Sequence, residues 1–206
     1  MTKVVRIHEY GGPDVLKIEE DKIGTPGPGE VLLDQKGVAL HYADTMMRQG
    51  KYHSNPDLPA IVGLDGAGII ESVGPGVGTF KPGDAACYMM KLGAYAEKRI
   101  ISADALIPVP DGINLNIIAA TFTRGMTAQY LLHQAYRVQS GDTVLIHVAA
   151  GGVGTLLCQW AKALGATVIG TVRSDDKFSI AQACGAAHVP MCQDSCRVNP
   201  ARNFQI

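Results

Sequence analysis

Residues 141–172 constrain the fold more than any other stretch of this 206-residue chain. An apolar run, Thr143-Val144-Leu145-Ile146-His147-Val148, enters the small-residue turn Ala149-Ala150-Gly151-Gly152-Val153-Gly154. The apolar positions Val153, Leu156, Leu157, Trp160 and Leu164 then recur at helical spacing, and Gly165 ends the pattern. A second apolar run, Thr167-Val168-Ile169-Gly170-Thr171-Val172, follows. Strand, turn, helix and strand make a β-α-β unit of about 30 residues with parallel strands. Read against G-x-G-x-x-G, the turn is Ala149-x-Gly151-x-x-Gly154, with alanine at the first glycine position. Small residues there let the backbone approach a pyrophosphate and let the helix pack on the strand, so dinucleotide binding outweighs a purely structural turn.

The end of the second strand bears on which dinucleotide. An NAD site usually places Asp or Glu there for the ribose hydroxyls. This chain has Arg173-Ser174-Asp175-Asp176-Lys177. A guanidinium, a hydroxyl and an ammonium suit a 2′-phosphate, which favours NADP(H). The same residues also read as a solvated helix start, with Ser174 as N-cap and two acids in the first turn. The two arrangements are compatible.

Residues 1–110 have a different texture, short alternating runs broken by glycine and proline. Leu16-Lys17-Ile18-Glu19 and Glu30-Val31-Leu32-Leu33-Asp34 are examples, and the region predicts a compact β-barrel or sandwich-like unit. Residues 61–77 are glycine-dense, which suits close backbone approaches. From about Asn114 helical spacing takes over, with Asn114 as candidate cap, so a boundary falls near residues 110–125.

Length allows one large domain or two modest ones and is ample for an apolar core. Eighteen basic and nineteen acidic residues nearly cancel, at −1. That balance disfavours a nucleic-acid binder or a polybasic membrane-surface protein. There is no signal-type apolar segment at the start and no membrane-length apolar run, so a cytoplasmic protein is expected. The five cysteines are irregularly spaced, and only Cys192 and Cys196 stand close, which favours reduced thiols over a metal site.

Residues 2–13 (Thr-Lys-Val-Val-Arg-Ile-His-Glu-Tyr-Gly-Gly-Pro), residues 127–132 (Thr-Ala-Gln-Tyr-Leu-Leu) and residues 149–170 together resemble a zeta-crystallin-type quinone oxidoreductase. This is a zinc-independent branch of the medium-chain dehydrogenase/reductase superfamily. The resemblance runs from residue 1 to about 189. It implies an α/β plus β-barrel protein: a GroES-like catalytic domain over 1–122, then the first half of a Rossmann NADP(H)-binding domain over 123–189. Residues 190–206 depart from the family and are expected to be an unrelated tail. Pro190 removes a ladder donor where a strand should begin, and Cys192 stands where a tyrosine is common. The second half of the cofactor domain and the returning catalytic segment would then be missing.

By the same resemblance NADPH delivers hydride or single electrons to a quinone or another electrophilic small molecule. The family is homo-oligomeric through a region expected to be absent here. His41, Asp44 and Tyr52 fall at catalytic positions. Tyr52, Thr127, Ala150, Gly151, Gly152, Val153, Gly154, Arg173, Ser174 and Lys177 fall at cofactor positions. No metal is implied, because Gly63-Leu64-Asp65 replaces the Gly-His-Glu of zinc-dependent relatives. The chain departs from the family pattern at His41 for asparagine, Tyr42 for phenylalanine, Asp65 for glutamate and Arg124 for lysine. Two alternatives stand beside quinone reduction: a catalytically silent fragment or binding module, and an enal or enone reductase using the same cofactor.

Overall fold

The computed structural model describes residues 1–192. The chain divides into two compact units, the first spanning Met1–Phe122 and the second beginning at Thr123.

The first unit is built on two antiparallel sheets. β1 (Thr2–Ile7) pairs on one side with β2 (Lys17–Asp21) and on the other with β4 (Ala60–Ile61). In β1 Thr2 and Val4 are buried on one face, and on the other exposure falls from Lys3 through half-buried Val5 to buried Ile7. β3 (Glu30–Val38) is central to a second sheet of order β7-β3-β5-β6-β8, with β5 (Gly66–Val73), β6 (Ala85–Tyr88), β7 (Lys98–Ser102) and β8 (Ile107–Pro108). The barrel-like expectation thus resolves, among the described residues, into two sheets joined by a single bridge, Val4 to Ala96, rather than one closed ladder. Val31, Leu33, Ile70 and Tyr88 are almost wholly buried and form the main core, with Phe80, Ile101 and Leu106 around them. α1 (Tyr42–Arg48) follows β3 directly.

α2 (Leu115–Tyr130) starts where Asn114 is expected to cap it: Asn114 Oδ1 accepts from the N–H groups of Asn116 (2.9 Å) and Ile117 (3.4 Å). The boundary between the units lies within this helix. In the second unit β9 (Thr143–Ile146) and β10 (Thr167–Gly170) pair in parallel across α3 (Gly154–Ala163), the β-α-β unit expected from the sequence. α4 (Phe178–Ala183) covers the same core, in which Val144, Ile146, Leu157, Cys158, Ala161 and Val168 are buried. Gly165, at φ +86°, ends α3 as a left-handed residue.

Residues 188–192 extend this sheet. His188 bridges Ile169 and Met191 bridges Val172, both in parallel. Pro190 takes part as an acceptor, receiving the Val172 N–H at 3.3 Å, while Cys192 N–H donates to Val172 O at 2.7 Å. Its missing donor therefore costs nothing here. The remainder of the expected tail, including Cys196, lies outside the described residues.

Gly154 makes the close approach of α3 to β9 possible. A Cβ there would lie 2.2 Å from the Val148 carbonyl oxygen and 2.9 Å from Ala149 Cα, both backbone atoms. At Gly125, inside α2, a Cβ meets nothing within 4 Å. The two glycines should respond with opposite signs in denaturant unfolding. Gly154→Ala loses about 2 kcal/mol, whereas Gly125→Ala gains roughly 0.5–1 kcal/mol by lowering backbone entropy in the unfolded chain.

Candidate functional site

In the first unit, α1 opens on a carboxylate that caps it. Asp44 Oδ2 accepts the His41 N–H at 2.7 Å and the Tyr95 hydroxyl at 3.0 Å. Asp44 is only 4% exposed, and its Oδ1 is buried without a hydrogen-bond partner. Burial pushes the Asp44 carboxyl above the usual range, with the His41 and Tyr95 hydrogen bonds opposing it. Burial also pushes the Tyr95 hydroxyl up, so it stays protonated and donates. Gly63 makes room for Tyr95: a Cβ there would lie 2.2 Å from the tyrosine ring, at a backbone φ of +88°. The Tyr95 ring also borders an apolar groove of about 600 Å³ walled by Val4, Ile18, Val38 and Leu40.

The His41 ring is held from a different direction. Its Nε2 lies 2.8 Å from Asp65 Oδ2, and Asp65 Oδ1 accepts the Met90 N–H at 2.9 Å. The Asp65 side chain is 2% exposed and that of His41 14%, so His41 is the wetter member of a largely buried pair. Burial, reinforced by the Asp65 charge, raises the nearby Cys87 thiol to about 11. Of the three expected catalytic residues the structure joins His41 and Asp44. Tyr52 stands apart in the loop after α1, where its N–H donates to Asn55 Oδ1 at 3.1 Å and its ring stacks against His53 at 4.1 Å.

Asp65 and Tyr95 complete the arrangement, and sequence reasoning did not nominate them. A lone acid inside the apolar, glycine-rich run 61–70 was the available signal for Asp65. Tyr95 gave none, because its partner lies 51 residues away.

In the second unit the turn after β9 is tight. Val148 adopts φ +54°, unusual for a β-branched residue, and its carbonyl accepts the Gly151 N–H at 2.7 Å. Ala149 is fully buried and serves at the first glycine position because Gly170 faces it: a Cβ on Gly170 would lie 2.6 Å from that of Ala149. Ala150, Gly151, Gly152 and Val153 then lead to Gly154 at the start of α3, where the Thr155 N–H is taken by Gly151 O at 2.9 Å and a helix N-terminus favours an anion. Arg124 lies over this turn, its Nε 2.8 Å from where a Gly152 Cβ would stand.

Beyond β10, Arg173 and Lys177 are exposed and form no ion pair among the described residues. Ser174 occupies the N-cap position of a short 3-10 turn (Asp175–Lys177), yet its side chain makes no capping hydrogen bond. The helix-start alternative therefore holds for its position but does not engage its hydroxyl. Thr127 is committed to its own helix, its hydroxyl donating to Thr123 O at 2.8 Å.

Residues 27–111 match the family described as alcohol dehydrogenase GroES-like domain, and residues 152–198 match the zinc-binding dehydrogenase family. A quinone oxidoreductase of Pseudomonas aeruginosa is 44% identical over 187 residues, which is 90% of this chain and 57% of the relative. A 2-haloacrylate reductase of Burkholderia sp. is also 44% identical, over 91% of this chain and 58% of its own length. The crystal structure of Escherichia coli quinone oxidoreductase complexed with NADPH matches with a TM-score of 0.86 at 39% identity, covering 91% of this chain and 57% of that one.

A GroES-like module followed by a dinucleotide-turn module makes this a medium-chain dehydrogenase/reductase chain. Within that class it is similar to quinone oxidoreductases, and it spans a little under three-fifths of those relatives' length. Zinc sites take three or four protein ligands. Here Leu64 is buried between Gly63 and Asp65, and His41 and Asp65 bond to each other. Among the described residues no three His, Cys, Asp or Glu side chains are grouped so as to hold a metal ion.

Removing one member of the His41–Asp65 pair leaves a buried polar group without its partner. Asp65→Ala should cost about 3 kcal/mol in urea unfolding. In a double-mutant cycle with His41→Ala the pair should show coupling of at least ~1 kcal/mol. Additive effects would remove the pair from the account.

Proposed function

We propose that this chain binds NADPH through its second unit and reduces small electrophiles of the quinone class in the cytoplasm. The observation that carries the reading is the pairing of a side-chain-free turn with two uncommitted cations. A Cβ at Gly151 would lie 3.0 Å from the Val148 carbonyl, one at Gly152 would strike Arg124, and one at Gly154 would strike backbone. A pyrophosphate placed there meets N–H groups at the start of α3, and Arg124 adds a cation above the turn. Arg173, Lys177 and the unengaged Ser174 hydroxyl suit a 2′-phosphate, which NADPH has and NADH lacks.

When bound, NADPH supplies a hydride or its electrons one at a time. The protein's contribution is to hold the cofactor, to exclude water and to provide polar groups for the acceptor. His41 and Asp44 are the candidates in the first unit, with Tyr52 nearby in sequence on the following loop. Among the described residues no helix is long and apolar enough to cross a membrane.

A second reading has its own support. The 2-haloacrylate reductase is as similar as the P. aeruginosa quinone oxidoreductase, which favours an electron-poor alkene as an alternative acceptor.

Fluorescence titration separates these readings from a silent binding module. NADPH should bind saturably, and Arg173→Ala or Lys177→Ala should each weaken it about tenfold, near 1.4 kcal/mol, with little effect on NADH. Equal loss for both cofactors would contradict the 2′-phosphate assignment. A substrate panel of benzoquinones, enones and haloacrylates, followed by NADPH oxidation, then ranks the acceptors.

A further inference from the structure

We propose that Asp44 is a carboxylic acid whose proton resides on Oδ1, and that Tyr95 is the positioning residue that confines it there. The location of the proton does not rest on the reductase reading.

The geometry leaves one place for the proton. A carboxylate oxygen has two lone pairs. On Asp44 Oδ2 both are engaged, by the His41 N–H at 2.7 Å and the Tyr95 O–H at 3.0 Å. Oδ1 is removed from water and has no partner. A buried, ionised oxygen in that position is costly, and a proton on Oδ1 removes the charge while both existing hydrogen bonds remain. A carboxyl kept neutral in this way becomes a hydrogen-bond donor, which an ionised one cannot be.

The groups around Asp44 come from several elements. His41 at the start of α1 favours the ionised form, and Asp65, ahead of β5, opposes it. Tyr95, ahead of β7, favours the ionised form by donating to Oδ2, and burial outweighs these influences. Cys87 and Tyr88 on β6 sense Asp65, and both are held protonated by burial. Tyr95 itself cannot receive the proton, because burial keeps its hydroxyl a donor.

The test uses infrared difference spectroscopy of the whole chain across a pH titration, with Asp44→Asn and Tyr95→Phe as comparisons. A protonated-carboxyl C=O band that Asp44→Asn removes should persist to higher pH than the exposed carboxyls. Tyr95→Phe deletes a donor to Oδ2, so the Asp44 midpoint should rise further and the band should move to higher frequency. A merely structural Tyr95 moves neither. The proposal is overturned if the band titrates with the exposed carboxyls, or if Tyr95→Phe leaves its midpoint and frequency unchanged. If Tyr95→Phe fails to fold, the Asp44→Asn comparison alone decides whether Asp44 carries the proton. Neither NADPH nor quinone is present in this experiment. A chain that shows the band but turns over no acceptor therefore defeats the reductase reading and leaves the proton assignment standing.

Discussion

The second unit depends on one backbone contact, the approach of α3 to the Val148 carbonyl. Gly154 permits it, and the consequences spread outward. The turn closes tightly enough to force Val148 to a positive φ and to bury Ala149 against Gly170 on β10. The helix start then lies beside the end of β9. An anion site of this kind needs no side chain at its centre, which is why small residues crowd there. The charged groups that would discriminate between cofactors lie one strand away, at Arg173 and Lys177.

The first unit uses a different constraint. It buries two acidic side chains, Asp44 and Asp65, in a β-rich core and gives each its own donors. Asp65 takes the His41 ring and the Met90 N–H, satisfying both oxygens. Asp44 takes the His41 N–H and the Tyr95 hydroxyl on the same oxygen and leaves the other bare. His41 thus meets one acid through its ring and the other through its backbone. Two departures from the family pattern, His41 and Asp65, prove to be partners, so neither substitution is isolated.

Local patterns carried most of what could be read before the structure. The β-α-β unit, the end of α3 at Gly165 and the cap at Asn114 all lie within a few residues of the chain, where spacing and backbone preference decide the outcome. The first unit was readable only as β-rich, because alternation identifies strands but not their closure. Its candidate site was half visible. His41 and Asp44 are three residues apart and share a helix start, whereas Asp65 is 24 and Tyr95 51 residues from its partner. Such contacts depend on strand order and register, which no local signal encodes. Pro190 misled for a related reason: the proline cannot donate, but the strand beside β10 needs only its carbonyl.

The central claim is that the exposed cations after β10 receive a 2′-phosphate. Phosphorus NMR of NADPH observes that group directly, with its diphosphate as an internal reference. On adding the chain, the 2′-phosphate resonance should shift and its own titration should move to lower pH, because nearby Arg173 and Lys177 favour the dianion. The diphosphate resonances should shift with it as the turn engages. A 2′-phosphate that titrates as in free NADPH while the diphosphate shifts would contradict the assignment.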